Sequence, residues 1–128
     1  MNSSIRTEQV FLILAALADR PRHGYAIVQE VEQISEGRMR LKVGTLYGAL
    51  DRLTAEGLLA PDHDEVESGR LRRFYRLTEL GVAALSQDAE RMAANARAAS
   101  ARLRARDGRG FSDRIGHGPR GAQAGAGA

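Results

Sequence analysis

The sequence predicts a mainly α-helical protein with one small β-hairpin, and three patterns in its 128 residues support that prediction. Apolar residues recur at helical spacing in three stretches before residue 60. A short apolar strand at residues 58–60 and an alternating segment at residues 70–77 then lie on either side of Ser68-Gly69, a pattern typical of a hairpin. A seam of apolar residues at spacings of three and four runs from Val82 to Leu103 and predicts one long C-terminal helix.

Composition limits the classes of function. The chain has no cysteine, which excludes a disulfide framework, a thiolate nucleophile and a cysteine metal site. Its longest apolar run, residues 10–18, is too short to span a bilayer, and the N-terminus lacks the features of a secretory signal, so we expect a cytoplasmic protein. The three histidines show no paired-ligand spacing, so we expect neither a metal nor another cofactor. The net charge of +3 permits nucleic-acid binding without establishing it.

The first two predicted helices cover residues 7–19 and 23–35. The first is apolar on most of its sides, so we expect that it is central to the domain or that a partner subunit covers its second face. Gly24, at the start of the second helix, would let another backbone or a phosphate approach the free amides. Tyr25 would add its hydroxyl to the same phosphate.

The third predicted helix lies within residues 41–59 and is the candidate for DNA recognition. Its apolar residues form one buried face, while the opposite side is unusually bare and carries Gly44 and Gly48. Each glycine weakens a helix by roughly 1 kcal/mol relative to alanine, so a purely structural helix would not favour them. Hydrogen-bonding side chains flank the bare side, namely Thr45, Tyr47 and Arg52. We predict a helix that enters the DNA major groove; an ordinary surface helix of poor propensity is the alternative.

The connector before this helix alternates basic with apolar residues. In an extended segment every second side chain points the same way, so Arg40 and Lys42 would share one basic edge that suits phosphate contacts. A merely solvated edge is the alternative. Lys42 is the only lysine of the chain and stands where a helix cap is expected. It either reaches a phosphate or marks a frayed start of the helix.

The predicted hairpin separates its charges between two limbs. Acidic residues occupy the incoming limb, residues 62–67, and arginines the outgoing limb, residues 70–76. Pairing across the strands would neutralise part of this charge. We expect Arg70 and Arg72, nearest the tip, to remain free for a partner.

A fourth helix, with Thr78 as its N-cap, is expected to continue to residue 106. Its apolar seam and the exposed flank of the first helix predict a homodimer interface; a solitary solvated helix is the alternative. The residues assigned to this interface are Val10, Leu14, Leu85, Ala89, Met92, Ala96, Ala99 and Leu103. The organisation expected is a DNA-binding domain over residues 1–77, a dimerisation helix over 78–106 and a disordered Gly/Ala-rich tail over 107–128.

Three helices, a basic hairpin and a long helix follow the order of a winged helix-turn-helix protein, in which the hairpin is the wing. Over about residues 10–85 the chain resembles PadR-type transcriptional regulators of the short kind. The motifs that carry the resemblance are His23-Gly24-Tyr25, Gly44-Thr45-Leu46-Tyr47, Leu50-Asp51-Arg52-Leu53, Glu56-Gly57-Leu58-Leu59 and residues 69–81. The chain departs from the family pattern at Lys42-Val43, where Ser-Pro is common, and at Gly48 and Leu71, where proline is frequent.

The resemblance implies a homodimeric repressor that binds a pseudo-palindromic double-stranded DNA operator. It implies that the fourth helix packs on the first helix of the partner, and that some members bind small hydrophobic or aromatic effectors near that interface. By position it implies DNA contacts for Tyr25, Thr45, Tyr47, Arg70 and Arg72. Two other classes remain open, a winged-helix protein-interaction module and a ligand carrier without DNA binding. No catalytic constellation indicates an enzyme.

Overall fold

The computed structural model describes residues 6–117 and has the expected mainly helical architecture with a small sheet. Its elements are α1 (Glu8–Ala16), β1 (Arg22–His23), α2 (Gly24–Ile34), α3 (Val43–Ala55), β2 (Leu59–Glu67), β3 (Arg70–Leu77) and α4 (Glu79–His117). The sheet has three antiparallel strands in the order β1-β3-β2, because the short β1, which the sequence did not predict, pairs with β3. β2 and β3 form the wing. The chain divides into two compact units after Asp88.

The hydrophobic core of the first unit is built by α1, α2, α3 and the base of the sheet. α1 contributes to it from nearly all sides, as its apolar sequence predicts. Val10 and Leu14, which we expected at a dimer interface, are 8% and 0% exposed within the single chain. That assignment needs correction, because side chains already covered by their own core offer no surface to a partner.

The end of α1 is stabilised by a residue from β1. Instead of continuing to Asp19, the helix ends at Ala16, whose carbonyl accepts a hydrogen bond of 2.8 Å from Nε of Arg22. The start of the helix is capped by Thr7, whose Oγ1 accepts from the amide of Val10 at 3.2 Å. These contacts satisfy backbone groups that a short helix leaves without partners.

Thr78 joins the end of α3 to the start of α4. Its hydroxyl donates to the carbonyl of Gly57 at 2.6 Å and accepts from the amide of Gly81 at 3.0 Å, which confirms it as the N-cap of α4. Gly57 has a φ of +83°, as the residue after a helix often does. Gly81 lies so close to the carbonyl of Leu58 that a Cβ at this position would overlap it.

The wing is longer than its apolar residues alone suggested. β2 continues through the polar segment to Glu67, with a bulge between Pro61 and His63 that accommodates the proline, which has no amide to donate. Ser68 and Gly69 both have positive φ angles, +52° and +76°. A two-residue turn of this kind matches the twist of the two strands and fixes their register.

α4 continues beyond its expected end at residue 106, to His117. The expectation of a disordered tail from Asp107 is therefore wrong for residues 107–117, and residues 118–128 lie outside the described part of the chain. A helix that already exists gains one hydrogen bond for each added residue, so isolated glycines weaken it without ending it. The next proline, Pro119, follows two positions after the helix end.

The expected dimerisation seam of α4 is exposed beyond its first turns. Leu85 is half-buried against the core of the first unit. The remaining seam residues are exposed, namely Ala89, Met92, Ala96, Ala99 and Leu103. Within residues 6–117, no helix is both long enough and apolar enough to cross a membrane.

Candidate nucleic-acid interface

α3 presents the bare side that its sequence predicts. Leu46, Leu50 and Leu53 are buried, whereas Gly44, Thr45, Gly48 and Arg52 are exposed on the opposite side. A Cβ added to Gly44 or Gly48 would meet no atom within 4 Å. The fold itself therefore gives no steric reason for glycine at either position, and the helix would be more stable with alanine.

Tyr47 links α3 to the start of α2. A Cβ at Gly24 would come within 2.8 Å of Cζ of Tyr47 and closer still to its hydroxyl oxygen. Gly24 is buried under this ring, so the space that we expected to admit a phosphate is filled by Tyr47. That expectation needs correction, because glycine serves a contact inside the chain. Tyr47 nevertheless remains 44% exposed.

The first turn of α2 keeps one of the expected contact residues on the surface. Tyr25 is 60% exposed. The N-cap of α2 is His23, whose Nδ1 accepts from the amide of Ala26 at 3.3 Å. Partial burial, aided by the positive charge of Arg72, lowers the pKa of His23, which favours the neutral form that a cap acceptor needs.

The connector between α2 and α3 is held by a buried hydroxyl. Oγ of Ser35 accepts from the amide of Met39 at 3.0 Å and lies 3.2 Å from the carbonyl of Glu32. Arg40 is exposed, but its Nε lies 3.3 Å from a carboxylate oxygen of Glu32, so part of its charge is already neutralised. The basic edge of the connector is thus partly paired within the chain.

Lys42 is the N-cap residue of α3 but makes no capping hydrogen bond with its side chain. The helix nevertheless begins normally, because the amide of Leu46 donates to the carbonyl of Lys42 at 2.9 Å. The structure gives the Lys42 side chain no ion pair among residues 6–117. The sequence left two explanations open for Lys42, a phosphate contact or a frayed start of the helix. The regular backbone hydrogen bond argues against a frayed start.

The wing neutralises most of its own charge across the strands, as expected. Arg73 pairs with Asp64 at 3.6 Å and Arg76 with Asp62 at 3.5 Å. Arg72, which we expected to be free, lies 3.3 Å from Glu67, and only 25% of its side chain is exposed. The expectation was wrong because the long arginine side chain reaches a diagonal neighbour across the wing, at ion-pair distance although its Nε makes no hydrogen bond there.

Three cations near the bare side of α3 and the wing tip have no ion-pair partner in the described part of the chain. They are Lys42, Arg52 and Arg70. Arg52 lies in the last turn of α3. A cation without an internal partner keeps its full charge for an anionic ligand such as phosphate.

A row of rings that the sequence did not predict crosses the three strands of the sheet. The ring of His63 stacks on Phe74 at 4.4 Å, and Phe74 meets the ring of His23 edge-on at 5.1 Å. His63 is also held between two carboxylates, with Nδ1 2.5 Å from Asp62 and Nε2 2.9 Å from Glu65. The hydrogen bond to Asp62, followed by that to Glu65, raises the pKa of His63. No set of residues in the described chain has the arrangement of a metal site.

A second feature that the sequence reasoning missed is the pair Val66 and Leu71, which are exposed at the wing tip. Counting outward from the two-residue turn would have placed them opposite each other. The position of the turn was thus the sequence signal for this pair, and the register of the strands confirms the pairing.

The sequence of this chain is similar to a known family and to individual proteins. The chain matches the model of the Transcriptional regulator PadR-like family over residues 13–87. It is 45% identical over 76 residues to the Transcriptional regulator Rv3488 of Mycobacterium tuberculosis, a match that covers 59% of this chain and 67% of that protein. It is 49% identical over 82 residues to an uncharacterized 37.1 kDa protein in transposon TN4556 of Streptomyces fradiae, which covers 64% of this chain but only 22% of that longer protein.

Solved structures show the same fold. A PadR family transcription regulator from Clostridium difficile R20291 aligns with a TM-score of 0.61 and 27% identity, over 73% of this chain and 96% of that one. Bacillus subtilis PadR in complex with operator DNA aligns with a TM-score of 0.56 and 22% identity, over 63% of this chain and 46% of that one. At 22% identity, the similarity to the Bacillus subtilis protein shows a shared fold and no more.

Proposed function

The chain belongs to the PadR-like family of transcriptional regulators, and from this premise we propose that it is a homodimeric repressor that binds a pseudo-palindromic DNA operator. The observation that carries the proposal is the bare side of α3. Gly44 and Gly48 each lower helix stability, and nothing inside the chain needs their small size. A surface that DNA approaches closely is a physical reason for both glycines.

The side chains around the bare side suit base and phosphate contacts. Thr45, Tyr47 and Arg52 flank the glycines on α3, and an arginine can bind guanine through two hydrogen bonds in the major groove. Lys42 and Arg70 have charges that no described carboxylate neutralises, which suits them to phosphates. Exposed Tyr25 and Arg40 would add contacts at the edges, Arg40 after releasing Glu32.

Arg72 belongs to the proposed surface in a lesser role. Its pairing with Glu67 lowers the charge that it would bring to DNA, and we therefore assign the main contact of the wing to Arg70. Arg72 acts chiefly by holding the two strands of the wing together.

The proposed dimer uses the exposed seam of α4. Small residues in the seam allow close helix approach, and Met92 and Leu103 supply apolar bulk that is 46% and 57% exposed in the single chain. Two copies would place two α3 helices in successive major grooves, about 34 Å apart, as a pseudo-palindromic operator requires. Such a protein acts where the chromosome lies, in the cytoplasm.

The proposed repressor is released from DNA by a small-molecule effector. A surface cavity of about 300 Å³ lies within the first unit, and its lining includes the apolar residues Leu58, Leu80 and Ala84. Arg6 and Gln87 lie at the same cavity. A small hydrophobic or aromatic molecule bound there would shift the base of α4 and so change the separation of the two α3 helices.

Selection of bound fragments from genomic DNA tests the proposal. The full chain should enrich a short pseudo-palindrome, and its affinity for that site should fall linearly with salt on logarithmic axes. Sedimentation in the same buffer should give a dimer. If no fragment binds with salt-sensitive affinity, a protein-interaction module becomes the better description; a monomer that binds single half-sites would contradict the dimer alone.

A further inference from the structure

A carboxylate lies on the bare side of α3, at the surface that the proposed function brings against DNA. Asp51 is exposed there, three residues after Gly48 and four residues before Ala55. Residues at these spacings are neighbours along one side of a helix. Because Gly48 has no side chain and Ala55 has only a methyl group, the carboxylate of Asp51 projects beyond both of them. A ligand that lies along the bare side therefore meets a negative charge.

The charge of Asp51 has no partner within residues 6–117. Its neighbours three and four positions along α3 include no cation, for they are Tyr47, Gly48, Thr54 and Ala55. No ion pair or side-chain hydrogen bond of the described chain involves its carboxylate. Aspartate is also a weak helix former. Neither internal contacts nor helix stability therefore gives a reason for a carboxylate at this position.

A carboxylate in the major groove is selective about the base that it faces. It accepts hydrogen bonds and cannot donate them, and the phosphates repel it. Cytosine presents its N4 amino group as a donor and has no acceptor in the major groove. Guanine and thymine present acceptors, which repel a carboxylate, and adenine places the acceptor N7 beside its amino group. Of the four bases, cytosine therefore suits Asp51 best.

We propose that Asp51 determines sequence specificity by accepting a hydrogen bond from the N4 amino group of one cytosine in each half of the operator. This inference rests on the proposed function and deepens it, because it names a base that α3 reads. Gly44 and Gly48 let the helix come close enough for a side chain as short as aspartate to reach a base edge. Lys42 and Arg52, which have no ion-pair partner in the described chain, offset the repulsion between Asp51 and the phosphates.

Selection of binding sites from a random DNA library tests the inference on the full chain. The wild type should select cytosine by about tenfold at one position of each half-site, the order of discrimination that a base contact gives. Asp51→Asn should select adenine there, since an amide can bond both N6 and N7 of adenine. Asp51→Ala should select no base at that position and keep its selection at the others. Asp107→Asn is the matched control, because it removes an exposed carboxylate from α4, and it should select the wild-type site.

Removal of the amino group from the cytosine separates a direct contact from a change in general affinity. An operator with pyrimidin-2-one at that position lacks N4. In fluorescence anisotropy, its affinity loss should be about tenfold larger for the wild type than for Asp51→Ala. Equal losses for the two proteins, a wild-type site without a selected cytosine, or selection of the wild-type site by Asp51→Asn would each overturn the inference. Failure of the proposed function is distinct, because the wild type would then select no site with salt-sensitive affinity.

Discussion

Tyr47 of α3 packs against Gly24 of α2 so closely that any side chain at position 24 would displace it. The contact fixes the exposed edge of α3 on the first turn of α2. It also explains why His23-Gly24-Tyr25 and Gly44-Thr45-Leu46-Tyr47 belong together in the resemblance, since one motif supplies the glycine and the other the ring that needs it.

Gly24→Ala should therefore move Tyr47. The ring is the outer end of a side chain that is 44% exposed, so it can rotate away, and we expect a loss of about 1 kcal/mol in the free energy of unfolding. In a Tyr47→Ala background the same change should cost much less, because only the contact of the new Cβ with Cδ2 of Leu46, at 3.3 Å, remains and alanine is the better helix former. Urea unfolding of the four proteins measures the coupling; equal effects of Gly24→Ala in both backgrounds would rule out the contact.

Gly81→Ala is the informative comparison. Its Cβ would meet the backbone carbonyl of Leu58, which cannot rotate away as a side chain can. We expect a larger loss, about 2–3 kcal/mol, from the same urea experiment. A smaller loss than that of Gly24→Ala would mean that the junction between α3 and α4 adjusts more easily than its hydrogen bonds suggest.

The two arginines nearest the wing tip should behave differently. Arg70→Ala removes an unpaired cation, so operator affinity should fall and the slope of its salt dependence should drop by about 0.9 for a lost phosphate contact. Arg72→Ala removes a cation already bound by Glu67 and should leave the slope nearly unchanged. Fluorescence anisotropy over a salt series measures both; equal slope changes would show that Glu67 releases Arg72 in the complex.

The stability of the wing should depend on pH through His63. The carboxylates of Asp62 and Glu65 raise its pKa in the folded chain above the ordinary value of 6.5. A raised pKa contributes stability that is complete below the unfolded pKa and is lost as pH rises through the folded one. NMR titration of the His63 ring should give a midpoint above 6.5 that falls in Asp62→Asn. A midpoint at or below 6.5 would contradict the hydrogen bonds seen here.

His23 provides an internal comparison in the same titration. Burial and the charge of Arg72 lower its pKa, so its contribution to stability is present at high pH and is lost as pH falls through the folded pKa. The two rings flank Phe74 and should titrate on opposite sides of the ordinary value.

The parts of this fold that local sequence determines could be predicted. The helical periodicity of apolar residues predicted α1, α2 and α3. The preference of helix starts for a hydroxyl side chain predicted Thr78 as the N-cap of α4. The bare side of α3 was visible because two glycines in an otherwise periodic helix have a known cost. These features depend on residues a few positions apart, and such distances are fixed by the geometry of one helix.

The remaining features depend on contacts between distant segments. β1 has only two residues and no periodicity, and it exists because β3 lies beside it. Val10 and Leu14 belong to a helix that is apolar all round, so periodicity could not say which side faces the core and which a partner. The pairing of Arg72 with Glu67 depends on the reach of one side chain across the wing. None of these is encoded in spacing along the chain.

The most direct test of the central claim is Gly48→Ala, measured for both stability and DNA binding. The new methyl group meets no atom of the chain, so the free energy of unfolding should rise by up to about 1 kcal/mol. Operator affinity should nevertheless fall, by about tenfold or more, because the methyl group occupies space that DNA needs. Gly108→Ala is the matched control, since Gly108 also lies in a helix with open space around it. It should gain stability and keep its affinity. A Gly48→Ala protein that is more stable and binds the operator as tightly as the wild type would contradict the assignment of α3 as the DNA-reading helix.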